Sequence, residues 1–219
     1  MIKLKKDGKR QRRYFFCKAL ADRVFAFFAC LALLPVFLAV AFGIRCTSPG
    51  PILFRQVRLG RGMEPFLLYK FRTMSCRAPR DCATVAFCAP ERYMTRFGAF
   101  LRKSSLDELP QLFNVLRGEM SILGPRPVIL SEDALISHRA CTGAYRVRPG
   151  ISGLSQISGR DLLNNEEKAR LDGEYATRLS FWRDFRLILA TALSVAFHRG
   201  VREGTPVSTD QGGKKSVRE

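Results

Sequence analysis

From Val24 to Ile44 the chain reads VFAFFACLALLPVFLAVAFGI, 21 residues without a single charge. A helix needs about 20 such residues to cross the hydrocarbon core of a bilayer. A core helix in a chain of this size is seldom apolar on every side, so the stretch reads as a membrane segment. Pro35 stands at its midpoint, where it removes the hydrogen bond to the Leu31 carbonyl and bends a helix. Thr47-Ser48-Pro49-Gly50-Pro51 is a turn that leaves the segment.

Ile52-Leu53-Phe54 and Phe66-Leu67-Leu68-Tyr69-Lys70-Phe71-Arg72 predict two strands around Gly60-Arg61-Gly62. In the second, alternation sets Lys70 and Arg72 on one face and Tyr69 with Phe71 on the other. Residues 75–91 follow neither period and read as a loop. Leu109, Leu112, Phe113 and Leu116 then recur at helical spacing, one buried face, and Pro110 fits only the first turn of that helix. A polar helix start at Glu166, Glu167, Lys168 and Arg170 leads to Leu171, Asp172 and Tyr175. Trp182 to Phe197, 16 residues, is short for a crossing. It suits a helix lying in the membrane interface with Trp182 near the headgroups, or equally one packed in the core. The polar tail from Val201 to Glu219 is expected to be flexible past Gly212. The elements describe an α+β protein in three parts: a basic N-terminus and membrane helix at 1–46, a main domain at 47–200 that holds the candidate site, and a tail at 201–219.

Charge sharpens the picture. Thirty-seven Lys and Arg against 19 Asp and Glu give the 219-residue chain a formal charge of +18, which calls for an anionic partner. Residues 1–23 carry nine Lys or Arg against Asp7 and Asp22, while Arg45, Arg55, Arg58, Arg61, Lys70 and Arg72 follow the apolar run. Positive flanks prefer the cytoplasmic side, so two basic flanks favour a re-entrant hairpin kinked at Pro35 over a single span. Arg12-Arg13 and Ala39-Val40-Ala41 imitate export signals, but the apolar run is longer than a secretory one. Only His138 and His198 are available for histidine chemistry, and seven cysteines at irregular spacing read as free thiols.

The candidate chemistry lies at Asp107 and Glu108, at the start of the predicted helix. Ser105-x-x-Glu108 fits a capping box, so the structural role of these acids is capping. Their cationic setting supplies the alternative: Arg92, Arg96, Arg102 and Lys103 precede them, and Gly124-Pro125-Arg126-Pro127 presents one guanidinium from a rigid loop. An ionised carboxylate among arginines can bind a divalent metal or attack phosphorus, and Lys70 with Arg72 could hold a diphosphate. A non-catalytic, membrane-tethered basic adaptor for nucleic acid or acidic lipid would explain the charge without explaining these acids. No zinc-finger spacing or RNP-type aromatic run supports nucleic acid as a partner, and no GxxxxGK[ST] loop supports a nucleotide hydrolase.

The order of motifs resembles the bacterial sugar transferase family, in its small monotopic phosphoglycosyl transferase form. The likeness runs through the membrane segment with Pro35, Ser48-Pro49-Gly50-Pro51, Phe54-Arg55-Gln56-Val57-Arg58 and Lys70-Phe71-Arg72-Thr73-Met74. It continues through Leu101 to Leu112, Ser121 to Pro127 and Arg148 to Gln156. The resemblance implies transfer of a sugar-1-phosphate from a UDP-sugar to polyprenyl (undecaprenyl) phosphate on the cytoplasmic face of the inner membrane, with UMP released. It implies Asp107 as nucleophile forming a phosphosugar intermediate, and Glu108 as its partner in positioning magnesium. A re-entrant membrane helix is also a feature of that family. Arg102 and Arg126 are then the phosphate ligands of choice, because a planar guanidinium meets two phosphate oxygens at once. Lys70 and Arg72 are further candidates, and Gln156 and Arg160 are substrate contacts or parts of a turn. Anionic membrane lipids would meet the basic N-terminus. The choice of sugar is expected from residues 75–91 and 128–145.

Overall fold

In the computed structural model, residues 2–78, 93–159 and 162–196 are described. The chain opens with α1 (Ile2–Ala32) and α2 (Leu34–Thr47), separated by a break at Leu33. Pro35 falls in the first turn of α2, where its missing N–H does no harm to that helix but cannot serve the one before. The axis deflects by 62° there. The arms thus form an open V and do not fold back on each other as a tight hairpin would. Among the described residues no single helix is long and apolar enough to cross a membrane, although the bent pair meets that test together.

The V has two unlike sides. Ala26, with Ala29, Leu33 and Phe37 beside it, packs on Leu68, Leu112, Val115 and Met120. Further along, Val40 and Ile44 pack on Phe71 and Leu101. The opposite side leaves Phe25, Phe28, Leu31, Leu38 and Phe42 exposed, Phe42 by 73%. Apolar rings left bare in water forfeit about 1.5–3 kcal/mol each relative to burial, and a bilayer removes that penalty.

After a bend at Ser48–Gly50, β1 (Leu53–Leu59) and β2 (Pro65–Phe71) form an antiparallel pair, Leu53 opposite Phe71 and Leu59 opposite Pro65. The first strand therefore runs five residues further at its C-terminal end than Ile52-Leu53-Phe54 predicted, and the second stops one residue before Arg72. Then follow α3 (Arg96–Lys103), a 3-10 turn (Leu106–Glu108), α4 (Gln111–Arg117), β3 (Ser121–Leu123), β4 (Val128–Ile129) and α5 (Asp133–Thr142). The chain ends in β5 (Gly150–Ser152), α6 (Leu154–Ile157), α7 (Asn165–Thr177) and α8 (Phe181–Ala196). β4 adds to the free edge of β1, giving the order β2-β1-β4, and β3 pairs with β5 in parallel. The class is α+β, as the alternation of patterns predicted. Most of the loop expected at 75–91, and the whole C-terminal tail, lie outside the described residues.

α8 packs one face on the protein and leaves the other apolar and exposed. Asp184 and Leu187 are buried, while Trp182, Phe185, Leu189 and Leu193 form an exposed apolar face. Tyr14 on α1 donates to Asp184 Oδ2 at 2.6 Å and Tyr175 on α7 donates to Oδ1 at 3.0 Å. Lys18 Nζ lies 3.1 Å from the same carboxylate. The first and last helices of the described chain are thus tied together through one buried carboxylate.

The helix of predicted face Leu109, Leu112, Phe113 and Leu116 is shorter and turned. Leu112 and Val115 are buried, and Phe113 is 40% exposed. Pro110 is the residue before the first turn of α4 and not inside it. The predicted capping box at Ser105 does not form: Ser105 sits at φ 57°, ψ 15° and its side chain caps nothing. A capping box does form at the start of α7, where Asn164 Oδ1 accepts from Glu167 N at 2.8 Å and Glu167 Oε2 accepts from Asn164 N at 3.0 Å. Asn164→Ala should therefore cost about 1 kcal/mol in chemical denaturation, whereas Ser105→Ala should change stability by less than about 0.5 kcal/mol.

Candidate functional site

Leu106 and Leu109 pack into the cluster of Val40, Ile44, Phe71 and Leu101. This fastens the 3-10 turn between them to α2, so the two acids on that turn sit next to the bent helix pair. Asp107 is 7% exposed. Glu108 points away from the backbone it was expected to cap. Its Oε1 accepts from Lys70 Nζ at 2.9 Å and from Arg126 Nη2 at 2.9 Å. Lys70 Nζ also stands 3.9 Å from Asp107 Oδ2, beyond hydrogen-bond length. Two cations, Lys70 largely shielded and Arg126 partly open to solvent, outbid a backbone N–H, because charge-assisted hydrogen bonds are the stronger ones.

Each cation is delivered by its own element. Lys70 comes from the last turn of the pleat in β2, and β2 is stitched to α4 by Asn114, which is fully buried. Asn114 Oδ1 accepts from Tyr69 N at 3.1 Å and Nδ2 donates to Leu67 O at 2.7 Å. A side-chain amide thus completes the outer edge of the sheet and fixes Lys70 opposite the acids. Arg126 comes from the loop between β3 and β4, where Pro125 and Pro127 fix the backbone on either side. That loop is held close to its neighbours because Gly124 and Gly150 touch backbone to backbone; a Cβ on either would overlap main-chain atoms.

The charges respond unequally. For Glu108, burial would push the carboxyl up, but Arg126 and Lys70 outweigh it and hold it well below the usual carboxylate range. Asp107 moves the other way: burial raises it, the Glu108 charge adds to the rise, and Lys70, Arg102 and Arg126 only partly oppose it. Burial lowers Lys70, and Arg126 adds to the fall against the pull of the two acids. Arg58, a neighbour on β1, is pushed down to about 10 by burial and by Arg126.

Of the residues singled out from sequence, Asp107, Glu108, Lys70 and Arg126 therefore meet. Arg102, in the last turn of α3, contributes its charge to Asp107 and places Nη2 4.0 Å from Met74 Sδ. Arg72 is not brought to the acids. It lies beyond the end of β2, 7% exposed, with Nη1 on Pro49 O at 2.9 Å and Nη2 on Ser48 O at 2.8 Å. Its guanidinium closes the turn after α2. Gln156 donates to Ile151 O at 2.9 Å within the turn from β5 to α6. Arg92 and Arg160 lie outside the described residues. Sequence reading missed Asn114, whose only signal was an amide on an otherwise apolar helix face, and the role of Arg58.

Among the described residues no three of His, Cys, Asp and Glu gather as a metal cage. Asp107 and Glu108 together still suit magnesium, which takes one or two carboxylates and completes its shell with phosphate oxygens and water.

A shielded carboxylate pair faces cations on a turn seated against an apolar helix pair. The family model for bacterial sugar transferases matches residues 13–198, and the chain belongs to that family. It is 40% identical over 205 residues to a UDP-glucose:undecaprenyl-phosphate glucose-1-phosphate transferase of Xanthomonas campestris pv. campestris, covering 89% of this chain and 42% of that protein. It is 42% identical over 170 residues to the protein of the same name from Caulobacter vibrioides, covering 74% of this chain and 62% of the relative. A third relative, the uncharacterized sugar transferase EpsL of Bacillus subtilis, is 34% identical, with 89% of this chain and 94% of EpsL covered. The chain thus spans less than two thirds of the first two relatives.

Replacing Glu108 by Gln leaves Lys70 with Asp107 alone, 3.9 Å away, and leaves Arg126 partly open to water. Glu108→Gln should lower stability by about 1 to 2 kcal/mol, the loss of charge-assisted hydrogen bonds discounted for that exposure, measured by denaturant titration in detergent.

Proposed function

We propose that the protein transfers a sugar-1-phosphate from a UDP-sugar to polyprenyl phosphate and releases UMP. UDP-glucose is the first donor to try, since the two relatives first compared carry it in their names. The observation that carries the proposal is the pair of acids: one carboxylate clamped by Lys70 and Arg126, its neighbour buried beside it. A basic adaptor has no use for such a pair.

In the first step an Asp107 oxygen attacks the β-phosphorus of the donor. The new O–P bond forms as the bond from that phosphorus to the bridging oxygen breaks, and UMP leaves with the electron pair. In the second step a phosphate oxygen of polyprenyl phosphate attacks the same phosphorus, and the Asp107 carboxylate leaves. Arg126, Arg102 and Lys70 lower the repulsion between an anionic nucleophile and the phosphate oxygens. Magnesium, held by Asp107 and Glu108 with the diphosphate, would supply further neutralisation. The reaction faces the cytoplasm at the inner membrane, with the bent α1–α2 pair re-entering the leaflet from which it came.

The test compares UMP release from a panel of UDP-sugars with magnesium and polyprenyl phosphate. Asp107→Asn should lower release at least about a thousandfold, and equal release from both proteins would move the chemistry elsewhere. Topology is tested on a background without native cysteines. Lys9→Cys and Glu64→Cys should both react with an impermeant maleimide only after the membrane is opened; labelling of one from outside would establish a single span.

A further inference from the structure

The loop that presents Arg126 is gripped from behind at three consecutive carbonyls. Pro125 O accepts from Gly150 N at 2.9 Å, Arg126 O from Arg139 Nη1 at 2.7 Å, and Pro127 O from Arg58 Nη1 at 3.1 Å. The grip on Arg126 itself is therefore a side chain of α5. Arg139 is 3% exposed, and its Nη2 lies 2.5 Å from Asp172 Oδ2 on α7. Asp172 is 1% exposed and accepts from Ser155 Oγ on α6 at 2.7 Å. The chain of contacts runs from Ser155 to Asp172, Arg139, the Arg126 carbonyl and then, through the Arg126 side chain, to Glu108.

An ion pair this deeply buried gains little over apolar packing of the same volume. Its retention calls for a task that apolar side chains cannot perform, and donating to a carbonyl is one. We infer that Arg139, held by Asp172, is a positioning residue that aims the Arg126 guanidinium at Glu108 and at the substrate phosphate. Standing before Pro127 confines Arg126 to extended backbone, and the freedom left within that range includes rotation of this carbonyl. The Arg139 contact removes it. A guanidinium displaced by about 1 Å can lose a hundredfold in rate, so the effect reaches chemistry that Arg139 never touches.

The inference rests on the phosphoryl transfer proposed above, and the test separates the two. Removing one charge of the pair leaves the other buried alone and risks unfolding. The informative variant is therefore Arg139→Met with Asp172→Leu, which removes both charges and keeps the volume. It should lower the rate of UMP release about ten- to hundredfold, and Arg126→Ala should lower it as well. In the Arg126→Ala background the pair variant should cost nothing further, because its effect passes through Arg126. Arg139→Lys, with one head for two partners, should fall between wild type and the pair variant. Losses that multiply independently would overturn the inference, as would full activity in either Arg126→Ala or the pair variant.

A second readout needs no turnover. Between Pro125 and Val128 only Arg126 and Val128 carry amide hydrogens. Their deuterium uptake should accelerate in the pair variant, while uptake in β1 and β2 stays unchanged. If wild type releases no UMP, the transfer proposal fails, and this exchange still decides whether Arg139 pins the loop. Unchanged uptake at both amides overturns the inference.

Discussion

Two carboxylates on consecutive residues repel each other and lose hydration when buried together, so one of them must be neutralised by cations brought from elsewhere in the chain. Glu108 is that one. Lys70 reaches it from 38 residues upstream and Arg126 from 18 residues downstream. Much of the small domain exists to make these arrivals coincide. The amide of Asn114 pins β2 to α4, the proline pair stiffens the Arg126 loop, and the close contact of Gly124 with Gly150 sets that loop against β5. Without the cations, the turn at Leu106–Glu108 would place an unpaired charge against the apolar cluster that anchors it.

The same turn couples the site to the helices that carry the exposed apolar faces. α1 shows how one helix serves two surroundings. Its outer face is apolar, while Lys18 and Asp22 on its inner face reach Asp184 and Ser121. Polar partners of this kind gain strength where water is excluded, and Asp184, 6% exposed, and Ser121, 4% exposed, meet that condition. α8 repeats the arrangement in mirror order, burying Asp184 and exposing Trp182 and Phe185. The turn that carries the two acids is thus held by elements with exposed apolar faces, and its distance from those faces is fixed by packing.

The bend of the apolar segment at Pro35, the turn after it, the two strands and the polar start of α7 were legible in the sequence because each depends on local rules: proline, turn residues, alternation and polarity. The resemblance of ordered motifs pointed to the acids and to Arg126. What could not be read were choices made by partners distant in the chain. Ser105-x-x-Glu108 satisfies the local rule for a capping box, yet Glu108 turns to Lys70 and Arg126, a competition invisible without tertiary structure. Lys70 and Arg72 share a face by alternation, but β2 ends at Phe71, and Arg72 goes to the carbonyls of Ser48 and Pro49. Arg139 and Asp172 bear no motif at all, since an ion pair 33 residues apart has no signature in spacing.

The asymmetry between the acids also explains why the proposed reaction assigns the attack to the first and the electrostatic role to the second. An oxygen that already accepts from two cations has its lone pairs engaged, and Glu108, held below the usual carboxylate range, is a weak base and a weak nucleophile. Asp107 stands 3.9 Å from its nearest ion-pair partner, and burial raises its basicity. Nucleophilicity toward phosphorus follows basicity when the attacking atoms are alike, provided the group is ionised at the working pH. Neighbouring cations keep that rise in check, so they do two things at once. They oppose the rise that burial causes at Asp107, and they accept the charge of the phosphate it approaches. A site with one acid could not separate these tasks, because the cations needed to gather phosphate would also quench the nucleophile. Giving the tighter grip to Glu108 leaves Asp107 near the same positive field without being bound by it.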